Sequence, residues 1–173
     1  MEIYFSKSKI IKLLIVSILI VAFCIYLELF PETIKIKNWD IEFKKLIGVI
    51  AIVIGTGGII INSKKLTKKS PGFIISDKGI IDNSSNINIG LIPWKEITEI
   101  ELITVRGYKF IVIHVEDNDN LINGNLLKKA LLSFYKFYYQ SPIVISTNTL
   151  EINIEKLQLI LLENFKLHKV PNS

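Results

Sequence analysis

Two long apolar runs dominate the first third of the chain. Polar residues are sparse from Ile10 to Phe30, and a second run, Leu46 to Asn62, follows a short mixed stretch. A helix rises about 1.5 Å per residue, so about 20 apolar residues cross a hydrocarbon core about 30 Å thick. The first run therefore predicts a membrane-spanning helix over residues 10–30. Each Leu, Ile, Phe or Val near its centre favours insertion by roughly 0.3–0.6 kcal/mol. The one opposing charge, Glu28, stands at the end of the run, where its cost is smallest. The second run predicts a helix over residues 46–62, roughly 24 Å long at that rise, and Lys44 and Lys45 can snorkel to extend it. Between the runs, Pro31 stops the first helix. Trp39 either anchors at headgroup depth or simply covers the turn.

Spacing within the runs suggests how they meet. Gly48, Ala51, Gly55 and Gly58 recur at intervals of three and four, hence on one helix face. Ser17, Val21, Cys24 and Glu28 share a face on the first run in the same way. Packing these stripes together turns Ser17 and Glu28 away from lipid. The short connection favours this contact within the chain over dimerisation through the small residues. The hairpin so formed occupies residues 1–63. A cleaved secretory signal fits less well, because the run is too long and no small-x-small site follows it. Phe23 before Cys24 likewise argues against a lipoprotein box. Seven lysines flank the open ends (Lys7, Lys9, Lys12, Lys64, Lys65, Lys68, Lys69) and four lie in the turn (Lys35, Lys37, Lys44, Lys45). That bias predicts both ends in the cytoplasm.

Residues 64–72 read as a basic juxtamembrane linker. Its Lys64, Lys65, Lys68 and Lys69 either attract anionic lipid, by about 1 kcal/mol each near the surface, or act only to orient the helix. Beyond it the pattern becomes that of a β-rich domain over residues 73–173. Phe73 to Ser76 and Gly79 to Asp82 form a hairpin around Asp77-Lys78, and Asn83-Ser84-Ser85 turns the chain again. Asn86 to Ile92 alternates. Ile97 to Val105 and Lys109 to Val115 form a hairpin at Arg106-Gly107. In the latter strand Ile111, Ile113 and Val115 face a core, while Val112, His114 and Glu116 point away from it.

The period then turns helical from Asn125 to Tyr139. Leu127, Ala130, Leu131, Phe134 and Tyr138 share one face. Lys128, Lys129 and Lys136 share the other with Leu132, Tyr135 and Tyr139. Lysines beside exposed aromatics suit a membrane-surface helix, although a domain helix with a solvated basic side reads the same way. Pro142 to Ser146 is a further strand. Asn153 caps a closing helix of about 15 residues that carries Leu157, Ile160, Leu161 and Phe165.

Composition narrows the function classes. The chain has 173 residues, half of them hydrophobic, a net charge of +5, one arginine and one cysteine. A lysine excess beside apolar runs suits a membrane surface better than nucleic acid. A single cysteine excludes an intramolecular disulfide. His114 and His168 have no partner at metal-ligand spacing. Glu96, Glu99 and Glu101 lie on a solvated strand without a base or nucleophile beside them. No enzyme, cofactor or metal site is expected.

The stretch Lys78-Gly79-Ile80-Ile81-Asp82, followed by Ile92-Pro93-Trp94-Lys95-Glu96-Ile97-Thr98-Glu99-Ile100, resembles the bacterial pleckstrin-homology-like domains. Together with the hairpin, the chain resembles a family of small bacterial inner-membrane proteins with two transmembrane helices and one such domain. The resemblance implies an α+β chain: a transmembrane hairpin, then a bent β-sandwich or partly open barrel closed by the C-terminal helix, with the 120–140 helix as an insertion. It also implies that Trp94 fills a corner between strands and that Ile97 and Ile100 face the core or its rim. Phosphoinositide readers gather basic residues at the first hairpin, where this chain has only Lys78. The function expected is a membrane-anchored, non-enzymatic adaptor that binds a protein or peptide. A protective role against a membrane-acting toxin is a variant of it. The alternative is a protein that binds or organises anionic lipid through the basic linker and the Lys/Tyr helix.

Overall fold

The computed structural model describes residues 1–30, 41–85, 89–116 and 126–169. Expectations for Pro31, Lys35, Lys37, Trp39, for Asn86 to Asn88, and for the side chains of Lys44 and Leu127 lie outside the described residues. The chain forms two units. One is Ser6–Lys68; the other joins Met1–Phe5 to Lys69–Ser173.

The first unit is a pair of helices, α1 (Lys7–Leu29) and α2 (Ile41–Thr67). Both are long and apolar enough to cross a membrane, and almost none of either apolar stretch is enclosed by protein. α1 ends where the Phe30 N–H donates to the Tyr26 carbonyl, one residue before Pro31. α2 continues five residues past the expected Asn62. Lys64, Lys65 and Leu66 are good helix formers, and the Thr67 hydroxyl donates to the Lys64 carbonyl at 3.1 Å. The connection to the second unit is therefore shorter than the expected linker, and Lys64 and Lys65 belong to the last turn of a helix.

The helices meet along their small residues. A Cβ built on Gly48 would collide with the Glu28 carboxylate. One on Gly55 would approach Val21 Cγ2 to 2.5 Å, and one on Gly58 would stand 3.9 Å from Ser17 Cβ. Ala51 and Cys24 are half-buried. Ser17 also satisfies its hydroxyl locally, donating to the Leu13 carbonyl at 2.9 Å, as a hydroxyl among apolar side chains must. A Cβ separation near 3.9 Å lies within disulfide range. Ser17→Cys with Gly58→Cys, in a Cys24→Ser background, should thus close an intrachain disulfide on mild oxidation. Adding Gly55→Ile should lower its yield sharply, because overpacking this contact costs about 1–3 kcal/mol. Non-reducing peptide mapping reads the outcome, and an unchanged yield would refute the contact.

The second unit holds two antiparallel sheets. The first has the order β1-β2-β3-β4, from Glu2–Ile3, Phe73–Ser76, Gly79–Asp82 and Leu91–Pro93. The second has the order β5-β6-β7, from Ile97–Val105, Tyr108–Val115 and Ile143–Ile145. They do not close into a barrel. Two helices complete the unit: α3 (Leu126–Tyr139) and α4 (Ile154–His168). Asn153 caps α4, its side chain accepting from the Lys156 N–H at 2.8 Å.

β1 is absent from the sequence reading, which assigned the first 63 residues to the hairpin. Glu2 and Ile3 instead pair with Ile74 and Phe73. The Ile75 N–H donates to the Met1 carbonyl and the Gly72 N–H to the Ile3 carbonyl, both at 2.9 Å. Glu151 N–H donates to the Tyr4 carbonyl, and Phe5 bridges to Leu150. Ile3 and Phe5 are buried.

The turns follow their residues. Arg106 and Gly107 both adopt positive φ (51° and 83°), the type I′ geometry that matches strand twist. Asp82 is buried but satisfied. Its Oδ1 accepts from the Ser84 N–H at 2.8 Å and the Ser84 hydroxyl at 2.6 Å. Trp94 opens a single 3-10 turn, Trp94–Glu96, linking the two sheets. Its indole is 3 % exposed, donates from Nε1 to the Ser76 carbonyl at 2.8 Å, and stacks on His168 of α4 with centroids 5.6 Å apart. Ile97 and Ile100 are buried beside it in sequence.

The second sheet carries a helix on each face. Lys109, on one face of β6, pairs with Glu155 of α4 at 2.7 Å. Phe110, on the other, lies against Tyr139 of α3 with centroids 6.2 Å apart. This corrects the half-covered reading of β6: Val112 is as buried as Ile111 and Ile113. The hydrogen bond from Lys109 holds the Glu155 carboxyl below its ordinary range. The pair is half exposed, so solvent screening leaves it a minor contributor.

Candidate interaction surfaces

Two features of the β-rich unit are candidate interaction surfaces. The first is the outer edge of β5. This nine-residue strand is terminal in its sheet and has β6 as its only ladder partner among the described residues. Thr98, Glu99, Glu101 and Thr104 are exposed along it. A register shift between Ile97 and Glu99 bends its start. An open edge presents unpaired backbone donors and acceptors, and charged side chains are the usual protection against indiscriminate pairing. Glu101 lies 3.8 Å from Nε2 of His114, which is half-buried and faces the α3 side of β6.

The second feature is α3, whose orientation differs from the face expected. Leu132 is fully buried, and Tyr135 and Tyr139 are half-buried beside it. Burial raises the Tyr135 phenol above its ordinary pKa, with Tyr139 adding to the shift. Of the lysines assigned to membrane contact, Lys129 is exposed while Lys128 and Lys136 are half-buried. The outward face carries the side chains that helical periodicity alone would place in a core. Leu126 and Phe137 are each 86 % exposed, Phe134 and Tyr138 more than half, and Leu131 somewhat less. At 100° per residue these five and Ala130 fill an arc of about 140°. Lys128 borders the arc on one side, and Lys129 and Lys136 on the other. The helix contains no acidic residue.

The inversion has a physical cause. Sheet β5-β6-β7 already has a core on the α4 side, and among the described side chains of α3 Leu132 with two tyrosine rings covers the second face. A Gln140 φ of 57° then turns the chain sharply out of α3. Ser141 follows, donating to the Ile113 carbonyl at 2.5 Å and accepting from the Ile143 N–H. This clamp fixes the C-terminal end of α3 against the sheet. Phe134, Tyr135, Tyr138 and Tyr139 contact one another along the helix, which stiffens the aromatic surface.

The linker lysines divide. Lys64 and Lys65 end α2, and Lys68 and Lys69 fall at the junction of the two units. Among the described residues, no group of three His, Cys, Asp or Glu side chains stands ready to hold a metal. No family model, curated protein or solved structure matches this chain, so its own geometry carries the functional reading.

Proposed function

We propose that the protein is a membrane-anchored, non-enzymatic binding module. In this reading α1 and α2 cross a bacterial cytoplasmic membrane as a hairpin with both chain ends in the cytoplasm. The second unit is a pleckstrin-homology-like domain whose task is to hold an extended polypeptide. The antiparallel meanders, the Trp94 junction and the C-terminal helix support the domain assignment. The lysine bias of the open ends supports the orientation.

The observation that carries the binding role is the edge of β5, which has no second ladder partner among the described residues. Adding a strand to such an edge draws its affinity from main-chain hydrogen bonds and its selectivity from neighbouring side chains. Glu99 and Glu101 stand exposed along this one, so the partner is an extended segment rich in lysine or arginine. A photo-crosslinking residue at Thr104 of the full-length protein, in intact membranes, should label a discrete polypeptide. The same residue at Lys166 on α4 should not. Glu99→Lys with Glu101→Lys should abolish the adduct. Labelling of lipid alone from Thr104 would refute the reading.

A further inference from the structure

The outward face of α3 is unexplained by peptide binding at β5, and it stands independently of that reading. A soluble domain rarely leaves two aromatic rings and three aliphatic or phenolic side chains exposed in one contiguous arc. Here the arc is bounded by lysines on both sides, lacks any acid, and belongs to a chain with two bilayer-length helices. We propose that α3 is an interfacial helix that lays Leu126, Leu131, Phe134, Phe137 and Tyr138 into the headgroup layer of an anionic bilayer.

The chemistry of the face selects this occupant. Phenylalanine and leucine enter the acyl boundary, tyrosine keeps its hydroxyl at headgroup depth, and lysine reaches phosphate from either flank. A protein partner of this helix would meet the same apolar arc without a use for the exposed Lys129 at its border, whereas anionic lipid uses both. The tether supplies the rest: a helix attached to a membrane hairpin meets the surface at high effective concentration, so modest intrinsic affinity suffices. Tyr139, against Phe110, keeps the helix seated on β6 while its other side is immersed, so the sheet need not open.

The test uses the full-length protein, carrying Cys24→Ser, in proteoliposomes of phosphatidylcholine with or without phosphatidylglycerol. A nitroxide is attached at Phe137→Cys, and a control at Glu163→Cys on α4. Phe137 is nearly fully exposed, so its replacement leaves the fold intact. With phosphatidylglycerol present, the label at 137 should collide several-fold more with oxygen, relative to a water-soluble nickel chelate, than the label at 163. Omitting phosphatidylglycerol, or adding Lys129→Glu, should lower that ratio. Equal nickel access at 137 and 163 in anionic bilayers would overturn the proposal. So would a label at 137 shielded from both reagents with dipolar broadening between copies, which would assign the face to a second molecule of this chain.

Discussion

Trp94→Ala is expected to destabilise the β-rich unit by about 3–5 kcal/mol, the range for removing a large buried aromatic side chain. Three losses coincide at this residue. The indole leaves a void where the two sheets join, the Ser76 carbonyl loses its 2.8 Å donor, and His168 loses the ring on which it stacks. For a domain of about 100 residues each kcal/mol moves Tm by about 4–8 °C, so the midpoint should fall by more than about 12 °C. Pulse proteolysis of the full-length protein in lipid nanodiscs measures it. Trp94→Phe separates the causes. It keeps most of the volume and removes the donor, and should lose only about 0.5–1.5 kcal/mol, the net worth of one hydrogen bond whose acceptor residue is exposed. A Trp94→Ala protein as stable as the parent would mean that the sheets are not joined through this side chain.

The second large effect concerns the first residues of the chain. Ile3 is 5 % exposed and, on the two-residue edge strand of the first sheet, pairs with Phe73 of β2. Ile3→Asp puts a carboxylate into this buried position, and releasing β1 to solvent relieves it. Loss of Ile3, and with it of Phe5, removes two buried side chains worth roughly 1.5–3 kcal/mol each. Hydrogen exchange gives the decisive readout. The Gly72 and Ile75 amides, which donate to Ile3 and Met1, should lose protection in the variant while the Val112 and Ile113 region keeps it. Unchanged protection at Gly72 and Ile75 would show that the amino-terminal residues do not complete this sheet.

The sequence is most transparent where a local pattern and its packing agree. β5 and β6 follow from two alternating runs around a turn that tolerates positive φ, and α4 follows from Asn153 and its four apolar positions. The helix pair follows from length and hydropathy alone. β1 is opaque because two residues carry no period, and its partner lies some 70 positions away. The end of α2 is opaque because apolarity stops at Asn62 while helix propensity does not. Val112 is misleading because alternation reports which face of a strand is apolar, not whether the polar-looking face is covered. α3 is the instructive case. Periodicity correctly finds an amphipathic helix and then assigns its richer face to the core. Among the described side chains, Leu132 and two tyrosine rings turn inward, and the greasier side faces outward.

The pairing of β1 with β2 also constrains the order in which the protein can be made. Met1–Phe5 is translated before both long helices, and the strand that receives it only after them. These five residues must therefore wait, unmatched, until the helices between them and β2 have been made. Once Phe73–Ser76 arrives the seam can close, and the residues on either side of the helix pair join one folded unit.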